Sequence, residues 1–313
     1  MRSIGSILLG IMEKAINPVC PICTSKNVVP SYVVLDHEGG ESFDLQRCSI
    51  CALIWVSNPP SADELGQYYT SLMGQSMRRK PSSFFAQLRS IRLKADVRPF
   101  SKILQPGDTV LDFGTGDGSL ALELVNANYK VEARDMYTTS EWTNSEIRYD
   151  SVNVGRPRKA DFFIEETPAD AVIMRHVLEH SPDPVFLLNT IRDAGVKHVI
   201  AIVPNAGSFL ANRFKSHWYY WDPPRHLFHF ESQTLEVLAN ATGGRIGSLR
   251  KYGIDEILSS INRAIRVRSL QKGKTPSGLL LNLTHPTGVL AGLMSAVTGV
   301  MSKGVIRVRI DFQ

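Results

Sequence analysis

The run Val110-Leu-Asp112-Phe-Gly114-Thr-Gly116-Asp117-Gly118 constrains this chain more than any other feature. Thr109 to Phe113 reads as a buried strand, and Ser119 to Ala127 reads as a helix. Three closely spaced glycines join them. A strand, a glycine turn and a helix in succession open a doubly wound sheet, where absent side chains let a ligand approach the backbone. Lys130 to Asp135 reads as the next strand. Its last residue, Asp135, falls about twenty residues beyond the turn, where an acid meets ribose hydroxyls.

The downstream chain keeps this alternation. Ala171 to Arg175 and His198 to Val203 are apolar strands with a helix, Pro184 to Ala194, between them. Ile147 to Val154 is the best place for a third strand. A helix over Ser232 to Thr242 ends at Gly243-Gly244, and two period-two segments, Arg245 to Tyr252 and Val305 to Phe312, are suited to antiparallel pairing. Such alternation implies a parallel sheet covered on both faces.

The glycine turn discriminates between ligands. Gly118 comes one residue too early for G-x-G-x-x-G, and Ser119 stands where a dehydrogenase has its third glycine. Asp112 and Asp117 place negative charge at the turn. That charge repels a pyrophosphate and favours a phosphate-free cation, so S-adenosylmethionine is the expected cofactor.

All four cysteines, Cys20, Cys23, Cys48 and Cys51, fall in two C-x-x-C pairs. Strand-like runs, Val28 to Asp36 and Glu41 to Arg47, lie between them with Gly39-Gly40 as a turn. This spacing predicts a tetrahedral structural zinc site in a small ribbon-like module. Few basic residues lie there, so nucleic acid is not the expected partner.

His176, Glu179 and His180 form H-x-x-E-H, and His226 and His229 follow in an aromatic-rich segment, His217 to Phe230. Both groups map to the carboxyl edge of the sheet, where ligands bind. If the acceptor is a hydroxyl, a proton must be removed. His226 is the first candidate base and His180 the second, with Glu179 beside them.

The glycine run, the His176 to His180 segment and Val203-Pro-Asn205 together resemble a broad bacterial group of class I S-adenosylmethionine-dependent methyltransferases. The resemblance covers roughly Cys20 to Thr242. It implies an α/β fold: a doubly wound, mostly parallel seven-stranded sheet behind the zinc-ribbon-like module. It also implies cofactor contacts at Asp112, Gly114, Thr115, Gly116, Gly118 and Asp135, with Arg175 and His176 beside the cofactor. Sugar C-methyltransferases are similar in carrying a four-cysteine module and a Glu-His pair at the position of His226, where this chain has Arg225. Ubiquinone-type and small-RNA methyltransferases are similar through a metal-binding E-x-x-E-H, where this chain has His176 in place of the first Glu. A divalent metal at Glu179 and His180, with His226 as a further ligand, stays open on that resemblance.

The expected organisation is a helix over 1–17, the module over 18–57, a helical linker over 58–105 and the catalytic domain over 106–313. Within the linker, Ser61 and Glu64 form a capping-box pattern, and Ser83 to Phe100 is amphipathic. An insertion over 254–304 precedes the last strand. It holds a basic segment and then an uncharged stretch, Thr275 to Ser302. Buried helices are the preferred reading, and a helix lying on a membrane, or clasping a lipid-linked substrate, is the alternative. The short apolar run Ile7 to Met12 is followed by Glu13 and Lys14, unlike a secretory signal, so a cytoplasmic location is expected. With 35 basic and 30 acidic residues, the net charge of +5 is too small to imply a polyanionic partner. The expected reaction is O-methylation of a small-molecule or glycan-type acceptor.

Overall fold

The computed structural model describes residues 19–36, 41–61, 64–65, 68, 83–136, 144–152, 158–164, 167–252, 260–261, 263–265, 267 and 303–313. The expected helix over 1–17, the Gly39-Gly40 turn, much of the linker and most of 254–304 lie outside these residues.

Three strands open the described chain: β1 (Val28–Leu35), β2 (Ser42–Cys48) and β3 (Ile54–Val56). Helix α1 (Ser83–Val97) leads to β4 (Thr109–Phe113), α2 (Ser119–Asn126), β5 (Lys130–Asp135) and β6 (Ile147–Ser151). A short hairpin, β7 (Phe163–Ile164) and β8 (Thr167–Pro168), precedes β9 (Ala171–Arg175), α3 (Pro184–Asp193) and β10 (His198–Pro204). Then follow α4 (Phe209–Phe214), β11 (Phe228–His229), α5 (Ser232–Ala241), β12 (Gly244–Tyr252) and β13 (Val305–Phe312).

Seven strands form the main sheet in the order β12-β13-β10-β9-β4-β5-β6. Only β13 runs antiparallel to its neighbours, pairing Val203 with Ile306 on one side and Arg250 with Arg307 on the other. The remaining pairs are parallel. The expected doubly wound, mostly parallel sheet is therefore present.

Both faces of this sheet are buried, which is why its central strands read as continuous apolar runs. Val110, Ile173 and Ile202 pack with Leu93 and Val97 of α1 and Leu120 and Leu124 of α2. Their sequence neighbours Leu111, Val172 and Val203 turn to the opposite face. There they join Leu187 and Ile191 of α3 and Leu235 and Leu238 of α5. Alternation along each strand thus divides one apolar run between two cores.

Local chemistry sets the helix ends. Asp183 caps α3 by accepting the Phe186 N–H at 2.8 Å, and Pro184 fits the first turn. Ser61 and Glu64 form the expected capping box, with the Ser61 N–H donating to Glu64 Oε2 at 2.8 Å. The amphipathic segment expected through Phe100 stops as an α-helix at Val97. Pro99 follows, and the chain tightens into a 3₁₀ turn over Arg98–Lys102. The third strand ends at Ser151, three residues short of its expected end.

The cysteine region departs from a lone hairpin. Its sheet has four strands in the order β1-β2-β3-β11, and the fourth comes from the chain beyond β10. Phe228 pairs with Trp55 and His229 with Ile54. Cys20, Cys48, Cys51, Leu53 and Trp55 share one core with Leu178, Leu227, Phe230 and Leu235. The expected boundary near residue 57 divides the sequence but not the hydrophobic core. No helix among the described residues is long and apolar enough to cross a membrane.

Candidate active site

The glycine turn lies at the carboxyl end of β4. Gly114 has φ +81°, and a methyl group there would collide with the Val177 side chain. Gly116 has φ +59°, and a methyl group there would meet nothing within 4 Å. The first glycine is thus demanded by packing, whereas the second leaves open space over the turn, as a closely approaching ligand requires.

Acids surround that space. Asp112 is fully buried and accepts a hydrogen bond from Thr115 Oγ1 at 2.7 Å. Burial pushes its carboxyl up to about 7 despite this bond, and the nearby Asp135 adds to the effect. Asp135 Oδ2 accepts the Gly116 N–H at 2.8 Å, so the carboxylate expected to meet a ribose is tied to the turn itself. Asp117 pairs with Arg89 at 2.6 Å, which answers part of the charge attributed to the turn. Gly118, at φ +77°, begins α2 beneath the Tyr149 hydroxyl.

The histidines converge at the other end of the site. Glu179 and His180 occupy a 3₁₀ turn over Leu178–His180 just after β9. His176 has φ +57°, and its Nδ1 lies 3.0 Å from Glu179 Oε1. His180 Nδ1 donates to the Arg225 carbonyl at 3.0 Å, and His226 Nδ1 donates to the Tyr220 carbonyl at 2.8 Å. Glu179, His180 and His226 offer ligand atoms that all lie within 4.8 Å of one another. Glu179 Oε2 is buried without a hydrogen-bond partner among the described residues.

Burial alone would push the Glu179 carboxyl up. The hydrogen bond from His176 and the surrounding imidazoles outweigh it and hold the group below its ordinary value. Burial pulls His180 down to about 4, and the charge of His226 acts the same way, so His180 is neutral near pH 7. His229 is also held well below its ordinary value by burial. Its ring stacks edge-on against Trp221 at 4.8 Å, and neither ring nitrogen has a hydrogen-bond partner among the described residues.

A cavity of about 320 Å³ opens beside these groups, lined by Arg92, Arg175, His176, Tyr219, Tyr220, Asp222 and His226. Arg92 comes from α1, Arg175 from the end of β9, and the others from loops at the carboxyl edge of the sheet. The aromatic run Trp218 to Trp221 is a candidate acceptor-site wall on sequence alone, and two of its residues, Tyr219 and Tyr220, line the cavity, whereas Arg92 escaped the sequence reading. Arg92 lies in an amphipathic helix with no motif.

The module reaches this site through main-chain pairing. The Val56 N–H donates to the Leu227 carbonyl at 3.0 Å, and the Leu227 N–H donates to the Glu179 carbonyl at 2.8 Å. Leu227 therefore ties β3 to the Glu179 turn, with His226 and His229 on either side. Thr234 Oγ1 donates to the Cys51 carbonyl at 2.8 Å, and Arg47 pairs with Glu231 at 2.7 Å.

The four cysteine sulfurs cluster as their spacing predicts. Cys20 and Cys51 are 3.6 Å apart, and Cys23 and Cys48 are 3.5 Å apart. A disulfide would bring a pair to about 2.05 Å. Zn–S bonds of about 2.3 Å place tetrahedral sulfurs about 3.8 Å apart. The donor set suits a closed four-sulfur ion, and the Ile50 N–H already points at Cys48 Sγ at 3.4 Å.

The methyltransferase-domain family model matches residues 85–247, over half of the chain. This chain belongs to that family and is a class I S-adenosylmethionine-dependent methyltransferase. Among solved structures, it is similar to 1,6-didemethyltoxoflavin-N1-methyltransferase from Burkholderia thailandensis. That likeness has 16% identity and a TM-score of 0.45, and covers 91% of this chain and 99% of that one. A methyltransferase from Archaeoglobus fulgidus is similar at 15% identity and a TM-score of 0.45, over 74% of this chain and 100% of that one. Coclaurine N-methyltransferase is similar at 13% identity and a TM-score of 0.47, over 74% and 73%. No curated protein sequence matches the chain significantly.

Proposed function

We propose that this methyltransferase O-methylates a small-molecule or glycan-type acceptor held in the His226 cavity. One observation carries the reading: the Tyr220 carbonyl takes the Nδ1 proton of His226, which leaves Nε2 as the basic nitrogen of a cavity-lining ring. When bound, S-adenosylmethionine supplies an electrophilic methyl on sulfur. Asp112, Gly114, Thr115, Gly116, Gly118 and Asp135 would hold it, with Arg175 and His176 beside its methionine end. His226 would take the acceptor's hydroxyl proton at Nε2 as the oxygen gains the methyl. The ionised Glu179 stabilises the resulting imidazolium, and His180 provides a second neutral ring. Tyr219 and Tyr220 offer flat faces to a sugar or aromatic ring.

The test is labelled-methyl transfer into a cell extract, followed by identification of the product. His226→Ala should lower turnover about 10²- to 10⁴-fold with little change in S-adenosylhomocysteine affinity. An unchanged rate removes His226 as base.

A second reading has its own support. Two histidines anchored through Nδ1 to carbonyls, beside a buried carboxylate oxygen without a hydrogen-bond partner among the described residues, suit a divalent cation. Glu179, His180 and His226 would hold it, and it would acidify an acceptor hydroxyl bound to it. Activity lost on chelation and restored by magnesium or manganese selects this reading, and full activity under chelation rejects it.

The proposal includes a structural zinc at Cys20, Cys23, Cys48 and Cys51, a cytoplasmic location and no nucleic-acid partner. Peripheral membrane contact through 254–303 is the remaining expectation, and that segment lies almost wholly outside the described residues.

A further inference from the structure

We infer that the acceptor carries an acidic group, a carboxylate or a phosphate, which seats on the guanidinium fork of Arg175. The inference rests on the reading of the His226 cavity as the acceptor site.

Asp96 anchors the fork. This carboxylate lies on α1, one helical turn beyond Arg92, and is completely buried. Its Oδ2 accepts from Arg175 Nε at 3.3 Å, and its Oδ1 accepts from the Tyr252 hydroxyl at 2.5 Å. Arg307 of β13 approaches the same Oδ1 at 3.6 Å, while its Nη1 donates to the Ala95 carbonyl at 2.6 Å. Among the described residues, Arg175 is thus hydrogen-bonded through Nε alone. Its two terminal nitrogens make no hydrogen bond to a described residue, and the side chain lines the cavity. A guanidinium steadied at one nitrogen presents the other two as a planar fork, and that fork matches two oxygens of a carboxylate or phosphate.

The local charge points the same way. Arg175 and Arg307 share the carboxylate of Asp96, and Arg92 and Arg175 both line the cavity. Asp222 also lines the cavity, but it is already committed to Arg225 through contacts of 2.6 and 3.1 Å. The cofactor's sulfonium adds positive charge nearby. An anionic group seated on Arg175 would bring the acceptor's hydroxyl towards His226, since both line one cavity. About 320 Å³ lies at the small end of ligand pockets, which suits a single substituted ring.

The experiment uses the full-length protein saturated with S-adenosylhomocysteine and titrated with inorganic phosphate, observed by calorimetry and by histidine proton resonances. Phosphate should bind and perturb cavity histidines. Arg175→Gln should weaken phosphate at least tenfold, and more than it weakens S-adenosylhomocysteine, beside whose methionine end Arg175 would stand. Arg175→Lys keeps the charge but loses the fork, so it should fall between. If Arg175→Gln instead weakens S-adenosylhomocysteine but not 5′-methylthioadenosine, which lacks the amino-acid tail, the fork serves the cofactor's carboxylate and the inference is overturned. Phosphate that fails to bind the loaded protein overturns it as well. A folded protein that binds no S-adenosylhomocysteine breaks the underlying reading itself.

Discussion

The two halves of the active site are built in different ways. The cofactor half is local: nine consecutive residues, Val110 to Gly118, close on Asp135 of the adjoining strand. The proposed acceptor half is assembled from α1, the end of β9, the aromatic turn and a two-residue strand borrowed by the cysteine module. The first is held by backbone conformation. The second is held by contacts between segments distant in sequence, such as Tyr252 with Asp96 and Val56 with Leu227, so its geometry depends on the whole molecule folding.

The largest expected effect tests that dependence. Zinc removal, or Cys48→Ser, should collapse the module, because a small metal-held fold loses its organising bonds with the ion. One zinc per chain should be measurable in the native protein. Its loss should lower the melting temperature by ten degrees or more and shift the resonances of His226 and His229, while S-adenosylhomocysteine still binds. If acceptor-side signals stay unmoved after the metal leaves, the two halves are not built as argued.

Gly114→Ala addresses the other half. The left-handed backbone and the collision with Val177 should together cost about 2–4 kcal/mol and weaken cofactor binding at least tenfold. Near-native affinity would mean that the turn adjusts freely.

The smallest effect concerns pH. Burial raises the Asp112 carboxyl to about 7 in the folded state, against 3.8 for the unconstrained group. The native state then holds an extra proton between these values, so this group makes stability fall as pH rises from about 4 to 7. Asp112→Asn should flatten that slope and stabilise the free protein at pH 8 by on the order of 2 kcal/mol. The same change should weaken the cationic cofactor, whose binding to the parent should strengthen as Asp112 ionises. Thermal melts at several pH values, with calorimetry of both proteins, check each half of this expectation.

The difference between the halves also explains what the sequence disclosed. Val110 to Gly118 announced its strand, turn and helix because each step is written in neighbouring residues. The antiparallel pairing of Arg245–Tyr252 with Val305–Phe312 was legible from two-residue periodicity, and the register confirms it. The four cysteines were legible from spacing. The Trp55–Phe228 pairing was not, since a two-residue strand carries no period and its partner lies 173 residues away. Asp96 and Arg92 looked like ordinary helix-surface charges. Asp96 joins the proposed site only because β9, β12 and β13 bring Arg175, Tyr252 and Arg307 to it, and Arg92 because it lines the cavity.

The position of β13 has a consequence for synthesis. Strand β12 emerges first but joins the sheet only through β13, made some fifty residues later. Until then, the exposed edge of β10 is a template for pairing with other chains. Arg307 reaches the buried Asp96 only when that last strand inserts. A nascent chain can therefore wind its glycine turn early, while the region proposed to receive the methyl group is completed only when the sheet closes.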